Sequence, residues 1–317
     1  MKILVVMAVE EKHKAWLSKK AEGNEICYIP AKQVKAKDVQ EAEVIIGNLP
    51  VALLSEARRL RWLQLNSAGA DAYCKPGVLP AGAQLTNATG AYGLALSEHM
   101  LAQLLAMMKK LYLYYDNQKQ ALWRDEGPVT SIEGATVLVV GMGDVGSCFA
   151  RRMKALGAYV IGMRRRSSDV PDYADEMGTM DRLDEYLARA DIVASSLPGT
   201  AATYHLFAKE RFAAMKHGAY FLNIGRGTAV VSDDLCSAVR SGKLAGAAVD
   251  VTEPEPLPPE HEMWQVPGIY ITPHISGQYH LAATQDKIVR IAAENLAAYL
   301  AGRDLRNLVD FATGYKK

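Results

Sequence analysis

Short apolar runs alternate with longer amphipathic patterns along most of the chain. The runs that we expect to form strands span residues 3–8, 25–29, 44–48 and 62–66, then 135–140, 159–163, 192–195, 220–224, 247–251 and 269–272. Between many of them, apolar residues recur three or four positions apart, which is the period of a helix. Strands that alternate with helices are typical of α/β proteins with parallel sheets. The sequence therefore predicts two α/β units, one before and one after residue 97.

The segment between these units predicts one long helix over residues 97–122. Apolar residues mark one face of it, and a second apolar stripe runs beside that face. The first face carries Leu101, Leu104, Leu105, Met108 and Leu111, and the second stripe carries Met100, Met107 and Tyr114. So wide an apolar arc is typical either of a core helix or of a helix that another domain or subunit also covers. Further helices are predicted over residues 147–156 and 282–300.

Composition and charge narrow the class of protein. A chain of 317 residues suits about two domains, and 50% apolar with 22% charged residues is an ordinary globular profile. A net charge of +1 argues against a nucleic-acid binder. Four cysteines far apart indicate neither a metal site nor a redox pair, and they suit a reducing cytoplasm. The N-terminal apolar run is followed by acids, so we expect a strand there rather than a signal peptide, and no membrane helix.

A glycine-rich loop provides the first chemical signal. The sequence GMGDVG (141–146) lies between a predicted strand and a predicted helix. There, glycines allow a tight turn and a close approach to a pyrophosphate, whose charge meets the helix N-terminus. The predicted cofactor contacts in this loop are Gly141, Met142, Gly143, Asp144, Val145 and Gly146. We expect a dinucleotide-binding Rossmann domain over 98–281, and a substrate-binding domain over 1–97 plus 282–317, because the chain must return to its first domain.

The end of the next predicted strand bears on the choice of cofactor. Sites that prefer NAD place an acid there, which accepts hydrogen bonds from the ribose hydroxyls. This chain has Arg164, Arg165 and Arg166 instead, and its first acid is Asp169. A guanidinium can bind the 2′-phosphate of NADP by charge-assisted hydrogen bonds. Three arginines can also form an ordinary solvated turn, but the missing acid predicts NADP as the preferred cofactor, with NAD possible.

Three motifs follow the glycine loop in order: NIGRG (223–227), DVTEPEPLP (250–258) and TPHISG (272–277). With SAGAD (67–71), SEH (97–99) and the tail 307–310, they make the chain resemble the D-isomer-specific 2-hydroxyacid dehydrogenase family, in particular its NADP-preferring glyoxylate/hydroxypyruvate reductases. The resemblance implies two Rossmann-like or flavodoxin-like domains with parallel sheets, an active site in the interdomain cleft, and a homodimer.

The resemblance also implies roles for single residues. Arg226 matches the arginine that binds the carboxylate of a 2-keto acid and polarises its carbonyl. His274 matches the acid/base, which protonates the carbonyl oxygen as NADPH delivers a hydride to give the D-2-hydroxy acid. Glu255 matches the carboxylate that orients His274, whereas Glu253 lies at the wrong offset. Ala68 and Gly69 match backbone donors to the substrate carboxylate.

Other positions match residues that line the adenosine and nicotinamide portions of the cofactor. They are Leu197, Pro198, Thr203, Ile224, Gly225, Asp250 and Gly277. For the substrate, a small keto acid such as glyoxylate or hydroxypyruvate is the first expectation. The alternatives are a bulkier aliphatic or aryl keto acid reduced with NADH, and a non-catalytic NAD(P)-binding sensor. Formate dehydrogenases, which are relatives, pair their histidine with glutamine, so Glu255 argues against that activity.

Overall fold

The computed structural model describes residues 1–165, 169–312 and 314. The chain divides into two compact units, which we call the first unit (Met1–Tyr92 with Leu281–Lys317) and the second unit (Gly93–His280). Each contains one parallel sheet and several helices, so the predicted α/β class is confirmed. Over the described residues, no helix combines the length and the apolar character that crossing a membrane requires. The substrate-binding and dinucleotide-binding roles expected of the two units stay predictions.

The first unit is built on a five-stranded sheet. Its strands are β1 (Lys2–Val5), β2 (Glu25–Tyr28), β3 (Val44–Ile46), β4 (Trp62–Gln64) and β5 (Gln84–Thr86). Its helices are α1 (Glu11–Lys20), α2 (Ala36–Glu41), α3 (Val51–Leu54) and a C-terminal helix (Ala282–Leu300), with 3-10 turns at Ala31–Gln33 and Asp71–Tyr73. The strand order is β2-β1-β3-β4-β5, and all neighbours are parallel. The inner strands β3 and β4 are buried throughout. This is expected because both faces of a parallel sheet are usually covered by helices.

A buried chain of hydrogen bonds ties the C-terminal helix to this sheet. The Trp62 indole donates to Thr86 Oγ1 over 2.8 Å, and that hydroxyl donates to Gln64 Oε1 over 2.7 Å. Asn295 Nδ2, on the C-terminal helix, donates to the same Gln64 oxygen over 2.7 Å. Asn295 Oδ1 accepts the backbone N–H of Arg306 over 2.8 Å. Because a buried polar group without a partner is costly, these bonds favour one placement of the helix and of the segment after it.

The second unit is built on a seven-stranded sheet. Its strands are β6 (Thr136–Val140), β7 (Tyr159–Met163), β8 (Glu176–Gly178), β9 (Ile192–Ser195), β10 (Ala219–Asn223), β11 (Leu244–Val249) and β12 (Ile269–Ile271). Its helices are α4 (Gly93–Met108), α5 (Leu111–Lys119), α6 (Asp144–Ala155), α7 (Leu183–Leu187), α8 (Lys209–Ala214) and α9 (Ser232–Arg240), with 3-10 turns at Met180–Arg182, Gly227–Ala229 and Glu262–Gln265. The order β12-β11-β10-β9-β6-β7-β8 reverses at β6. Ligands of doubly wound sheets bind beyond the carboxyl ends of the strands at such a point.

The two faces of this sheet bury different side chains of the same strand. Along β6, Leu138 and Val140 belong to one hydrophobic cluster, while Val137 and Val139 belong to another. Successive side chains of a strand point to opposite faces, so a strand covered on both sides reads as a continuous apolar run. This is why β6 was recognisable from sequence.

Every predicted strand forms, with ends that differ by a few residues at most. Two strands were not predicted, β5 and β8, and they lie at the edges of their sheets. Each is three residues long, and their sequences, QLT and EMG, contain no apolar run. An edge strand needs to bury less of its length, so its sequence carries a weaker signal.

The single helix predicted over 97–122 is wrong. The structure has α4 and α5 in its place, and Lys110 between them has a left-handed backbone with φ 54°. A left-handed residue cannot continue a right-handed helix, so the chain changes direction there. In addition, α4 begins before Ser97, at Gly93, where a Cβ would lie 2.5 Å from Cys148 Sγ on α6. Glycine at that position lets α4 pack closely against α6.

The hydrogen-bond chain predicts the effect of Asn295→Ala. The change removes a donor and an acceptor, and it leaves Gln64 Oε1 and the Arg306 N–H with fewer partners in a buried place. We expect the free energy of unfolding to fall by about 2 kcal/mol, measured by urea denaturation. Lys287→Ala is the control, because Lys287 lies on the same helix and is exposed. Equal midpoints for both variants would contradict the role assigned to Asn295.

Candidate active site

The glycine loop lies between β6 and α6 in the second unit. Gly141 has φ 105°, and a Cβ on Gly146 would lie 1.9 Å from the carbonyl oxygen of Gly141. Both positions therefore require glycine for the turn itself. Gly143, the residue before α6, has no atom within 4 Å of the place of a Cβ, so its face of the loop is open. An open glycine at a helix N-terminus fits the close approach of a pyrophosphate.

Helix α6 begins at Asp144, three residues before the predicted start at 147. The carboxylate of Asp144 accepts the backbone N–H of Gly93 over 2.9 Å. Met142 is buried, and its backbone N–H donates to Met163 O, at the end of β7, over 3.0 Å. Val145 packs against one of the two hydrophobic clusters of the unit. These contacts fix the shape of the loop, and the predicted cofactor contacts of its residues stay predictions.

Arg164 follows β7 directly and lies beside the glycine loop. Its Nε donates to the carbonyl oxygen of Met142 over 3.1 Å, and its Nη2 donates to the Tyr173 hydroxyl over 3.4 Å. The guanidinium is thus held next to the loop instead of extending into solvent. Arg165 is exposed, and Arg166 lies outside the described residues.

The loop after β10 carries Arg226 and is packed tightly on both sides. A Cβ on Gly225 would lie 2.2 Å from Leu197 O, and one on Gly227 would lie 1.9 Å from Thr252 O. The Asn223 side chain donates to Arg226 O over 2.9 Å, and Arg226 Nη1 donates to Gly225 O over 2.8 Å. The glycines therefore bring the arginine loop into contact with the loops that follow β9 and β11.

His274 and Glu255 form a direct pair. The distance from His274 Nδ1 to Glu255 Oε1 is 2.6 Å, and the two side chains are 50% and 42% exposed. A carboxylate on Nδ1 fixes the tautomer and orientation of the imidazole, so proton exchange with a ligand falls to Nε2. Half-exposure means that a small molecule can reach this ring. The pair can therefore serve as an oriented acid/base.

Asp250 anchors the loop that holds His274. Asp250 is 2% exposed, and its Oδ1 accepts the Thr272 hydroxyl over 2.6 Å and the Ile275 N–H over 3.1 Å. Oδ2 accepts both the N–H and the hydroxyl of Ser276. A buried carboxylate with several donors is a strong local constraint. Its predicted contact with the cofactor is untested, and the anchoring role is one that sequence reasoning missed.

Further predicted cofactor residues also occupy loops of the second unit. Leu197 and Pro198 follow β9, and the Thr203 hydroxyl donates to Pro198 O over 2.6 Å. Ile224 is buried beside Gly225, and Gly277 is half-buried after Ser276. The carboxyl ends of parallel strands share one edge of a sheet, so the loops after β6, β7, β9, β10, β11 and β12 all lie at that edge.

Ala68 and Gly69 belong to the first unit, in the loop after β4. The Asn87 side chain donates to Ala68 O over 2.8 Å, and the Ser67 hydroxyl donates to Gly69 O over 2.7 Å. Both carbonyl groups are therefore bonded to protein donors; Ala68 is exposed and Gly69 is half-buried. The predicted donation of the N–H groups of Ala68 and Gly69 to a substrate carboxylate stays a prediction.

Thiol and metal chemistry find little support among the described residues. No group of three or more histidine, cysteine or acidic side chains among them could hold a metal ion. Burial raises the pKa of the Cys236 thiol to about 11, so this thiol stays protonated and unreactive near neutral pH. Burial also raises the pKa values of Cys27 and Cys74.

Comparison with known proteins decides the family. The sequence profile of the D-isomer specific 2-hydroxyacid dehydrogenase, NAD binding domain, matches residues 101–276, more than half of the chain. This chain belongs to the D-isomer-specific 2-hydroxyacid dehydrogenase family. The resemblance read from the motifs is thereby confirmed, and so is the expectation of an oxidoreductase.

Similar members of the family cover nearly the whole chain. A glyoxylate/hydroxypyruvate reductase A of Serratia proteamaculans is 30% identical over 298 residues, which are 90% of this chain and 93% of that protein. The crystal structure of a family member from Aeromonas salmonicida is 32% identical with a TM-score of 0.87, covering 98% of this chain and 99% of that one. An NADPH-dependent glyoxylate/hydroxypyruvate reductase of Sinorhizobium meliloti, solved with NADP and sulfate, is 28% identical with a TM-score of 0.84 and covers 99% of both chains.

Proposed function

We propose that this dehydrogenase reduces a small 2-keto acid of the glyoxylate or hydroxypyruvate class with NADPH, giving the D-2-hydroxy acid. The observation that carries the proposal is the half-exposed His274–Glu255 pair, which lies in loops at the carboxyl edge of the same sheet as the glycine loop. The names of the Serratia and Sinorhizobium relatives support the substrate class.

In this proposal three side chains of the second unit each have a separate role in the reaction. Arg226 binds the carboxylate of the keto acid and stabilises negative charge on its carbonyl oxygen with a planar, permanently charged group. His274 donates the proton from Nε2 to that oxygen, and Glu255 holds the imidazole through Nδ1 while it carries positive charge. Ala68 and Gly69 donate backbone N–H groups to the substrate carboxylate.

The cofactor, when bound, supplies the hydride. Residues of the glycine loop fit it, because Gly143 leaves open space at the N-terminus of α6. Leu197, Pro198, Thr203, Ile224, Gly225, Asp250 and Gly277 complete the proposed contacts. Arg164 favours NADP over NAD, because its guanidinium lies beside the loop, where an NAD enzyme would place an acid. Arg165 and Arg166 would add positive charge there.

A second copy of the chain is the proposed partner. Several large apolar side chains of the second unit lie exposed close together in the sequence. They are Leu111, Tyr114, Tyr115, Leu122, Trp123 and Val129. Exposed apolar groups of this size favour a protein interface, and the resemblance to the family implies a homodimer. The four free cysteines suit a reducing cytoplasm, where we place the enzyme.

The test of the function is NADPH oxidation against a panel of 2-keto acids from glyoxylate to aryl keto acids, with wild type and His274→Asn. Wild type is expected to turn over small keto acids best. His274→Asn should lose about 10²- to 10⁴-fold in kcat while it still binds NADPH, because only the proton donor is removed. Preference for bulky keto acids would change the substrate class, and undiminished turnover by His274→Asn would refute its role.

The cofactor preference is tested by Arg164→Asp. A carboxylate would repel the 2′-phosphate of NADPH and could accept hydrogen bonds from the ribose hydroxyls of NADH. We expect KM for NADPH to rise far more than KM for NADH, in steady-state assays with one keto acid. Arg165→Asp, at the exposed neighbouring position, shows whether the second arginine shares this role or whether the preference depends on Arg164. Equal changes in both KM values for Arg164→Asp would show that Arg164 does not select the cofactor.

A further inference from the structure

The segment 252–258 carries two glutamates, and each pairs with a different histidine. Glu255 pairs with His274, as described above. Two residues earlier, Glu253 Oε2 lies 2.8 Å from His205 Nε2, with the two side chains 34% and 39% exposed. Sequence reasoning left Glu253 and His205 without a role, so the structure adds a second histidine–glutamate pair beside the first.

His205 is itself held in place by its surroundings. Its backbone N–H donates to Thr228 O over 2.8 Å, directly after the Arg226 loop, and Phe207 N–H donates to Ala229 O over 2.8 Å. The Tyr204 ring stacks on the imidazole with centroids 3.8 Å apart and planes 19° apart. His205 also has φ 49°, a left-handed conformation that only a few residue types tolerate well. The imidazole is therefore a fixed point next to the arginine loop.

Further contacts hold the segment 252–258 close to His205, just before Glu255 in the chain. The Ser232 hydroxyl, at the start of α9, donates to the backbone oxygen of Glu253 over 2.9 Å. Thr252 packs against Gly227 so closely that a Cβ there would lie 1.9 Å from Thr252 O. Contacts from His205, Gly227 and Ser232 thus constrain residues 252 and 253.

Stability is a weak reason for this pair. An ion pair that is about one-third exposed contributes about 0–1 kcal/mol at most, because water screens it and two side chains lose freedom. Geometry is the stronger reason, since a displacement of about 1 Å in a catalytic group can cost about 100-fold in rate. The position of Glu255 depends on the path of residues 252–254.

We propose that His205 and Glu253 are a positioning pair, which holds the glutamate segment so that Glu255 meets Nδ1 of His274. Neither residue touches the substrate in this proposal. The expected effect of the pair on turnover rests on the proposed function. The geometric part of the inference, that the pair positions Glu255 against His274, does not depend on it.

The test uses two variants that break the pair from opposite sides, His205→Asn and Glu253→Ala. Asparagine tolerates the left-handed backbone of residue 205 but is too short to replace Nε2. Two controls match the changes: His217→Asn at an exposed histidine, and Glu260→Ala at an exposed glutamate of the same connection. Urea unfolding of each full-length variant shows whether the fold is kept.

We expect both pair variants to lower kcat by about 10- to 100-fold with KM for NADPH unchanged. The double variant should be no slower than the slower single variant, because both changes break the same contact. Unchanged kcat in either folded variant would overturn the proposal. The His205–Glu253 contact would then be a surface pair without a positioning role. Losses that multiply in the double variant would also overturn it.

A readout that needs no turnover separates this inference from the proposed function. The His274 Nδ1–H proton, bonded to Glu255, is followed by NMR and assigned by its absence in His274→Asn. We expect this signal in wild type and in both controls, and its shift or loss in His205→Asn and Glu253→Ala. If wild type reduces no 2-keto acid, the proposed function fails, yet a shifted signal still supports the positioning pair. An unaltered signal in both pair variants overturns it.

Discussion

The hydrogen bond between His274 Nδ1 and Glu255 Oε1 is the interaction on which the proposed function depends. It joins two loops that follow different strands, and at 2.6 Å it is a short, charge-assisted bond because its acceptor is a carboxylate. A surface pair of this kind contributes little to folding. Its value is chemical, because it leaves a single ring nitrogen, Nε2, for proton exchange. Much of the local structure serves to keep these two side chains together.

Different contacts hold His274 and Glu255 in position for this bond. On the histidine side, the buried Asp250 carboxylate gathers Thr272, Ile275 and Ser276, so the loop is fixed by hydrogen bonds. On the glutamate side, the close approach of Gly227 to Thr252 and the His205–Glu253 contact constrain the chain. The arginine loop belongs to the same assembly, because Gly227 packs against Thr252 and Thr228 O accepts the backbone N–H of His205. Arg226, Glu255 and His274 are therefore positioned by one continuous network within the second unit.

Much of this was predictable from sequence because the physical signal is local. Buried strands such as β6 read as apolar runs, and the glycine loop between a strand and a helix has a recognisable pattern. The resemblance to a known family assigned His274 and Glu255, and the structure brings their side chains into contact. The edge strands β5 and β8 escaped prediction, since three residues without an apolar run carry no period. The break at Lys110 escaped it too, because lysine is an ordinary helix residue and gives no warning of a left-handed backbone.

The anchors escaped prediction for a different reason. Nothing in a sequence shows that the hydroxyls of Thr272 and Ser276 converge on Asp250, or that His205 reaches Glu253 across 48 positions of the chain. Such contacts depend on the order of strands in the sheet, which places distant loops at one edge. The available signal was the presence of hydroxyl and carboxylate residues in the loops beside the predicted catalytic motifs. This signal does not show which of these residues contact each other.

The most direct measurement of the central interaction is a double-mutant cycle on kcat with Glu255→Gln and His274→Asn. If the carboxylate acts only through the imidazole, the double variant turns over no more slowly than His274→Asn alone. If instead the two losses multiply, Glu255 acts independently of His274, and the central role of the His274–Glu255 bond is contradicted.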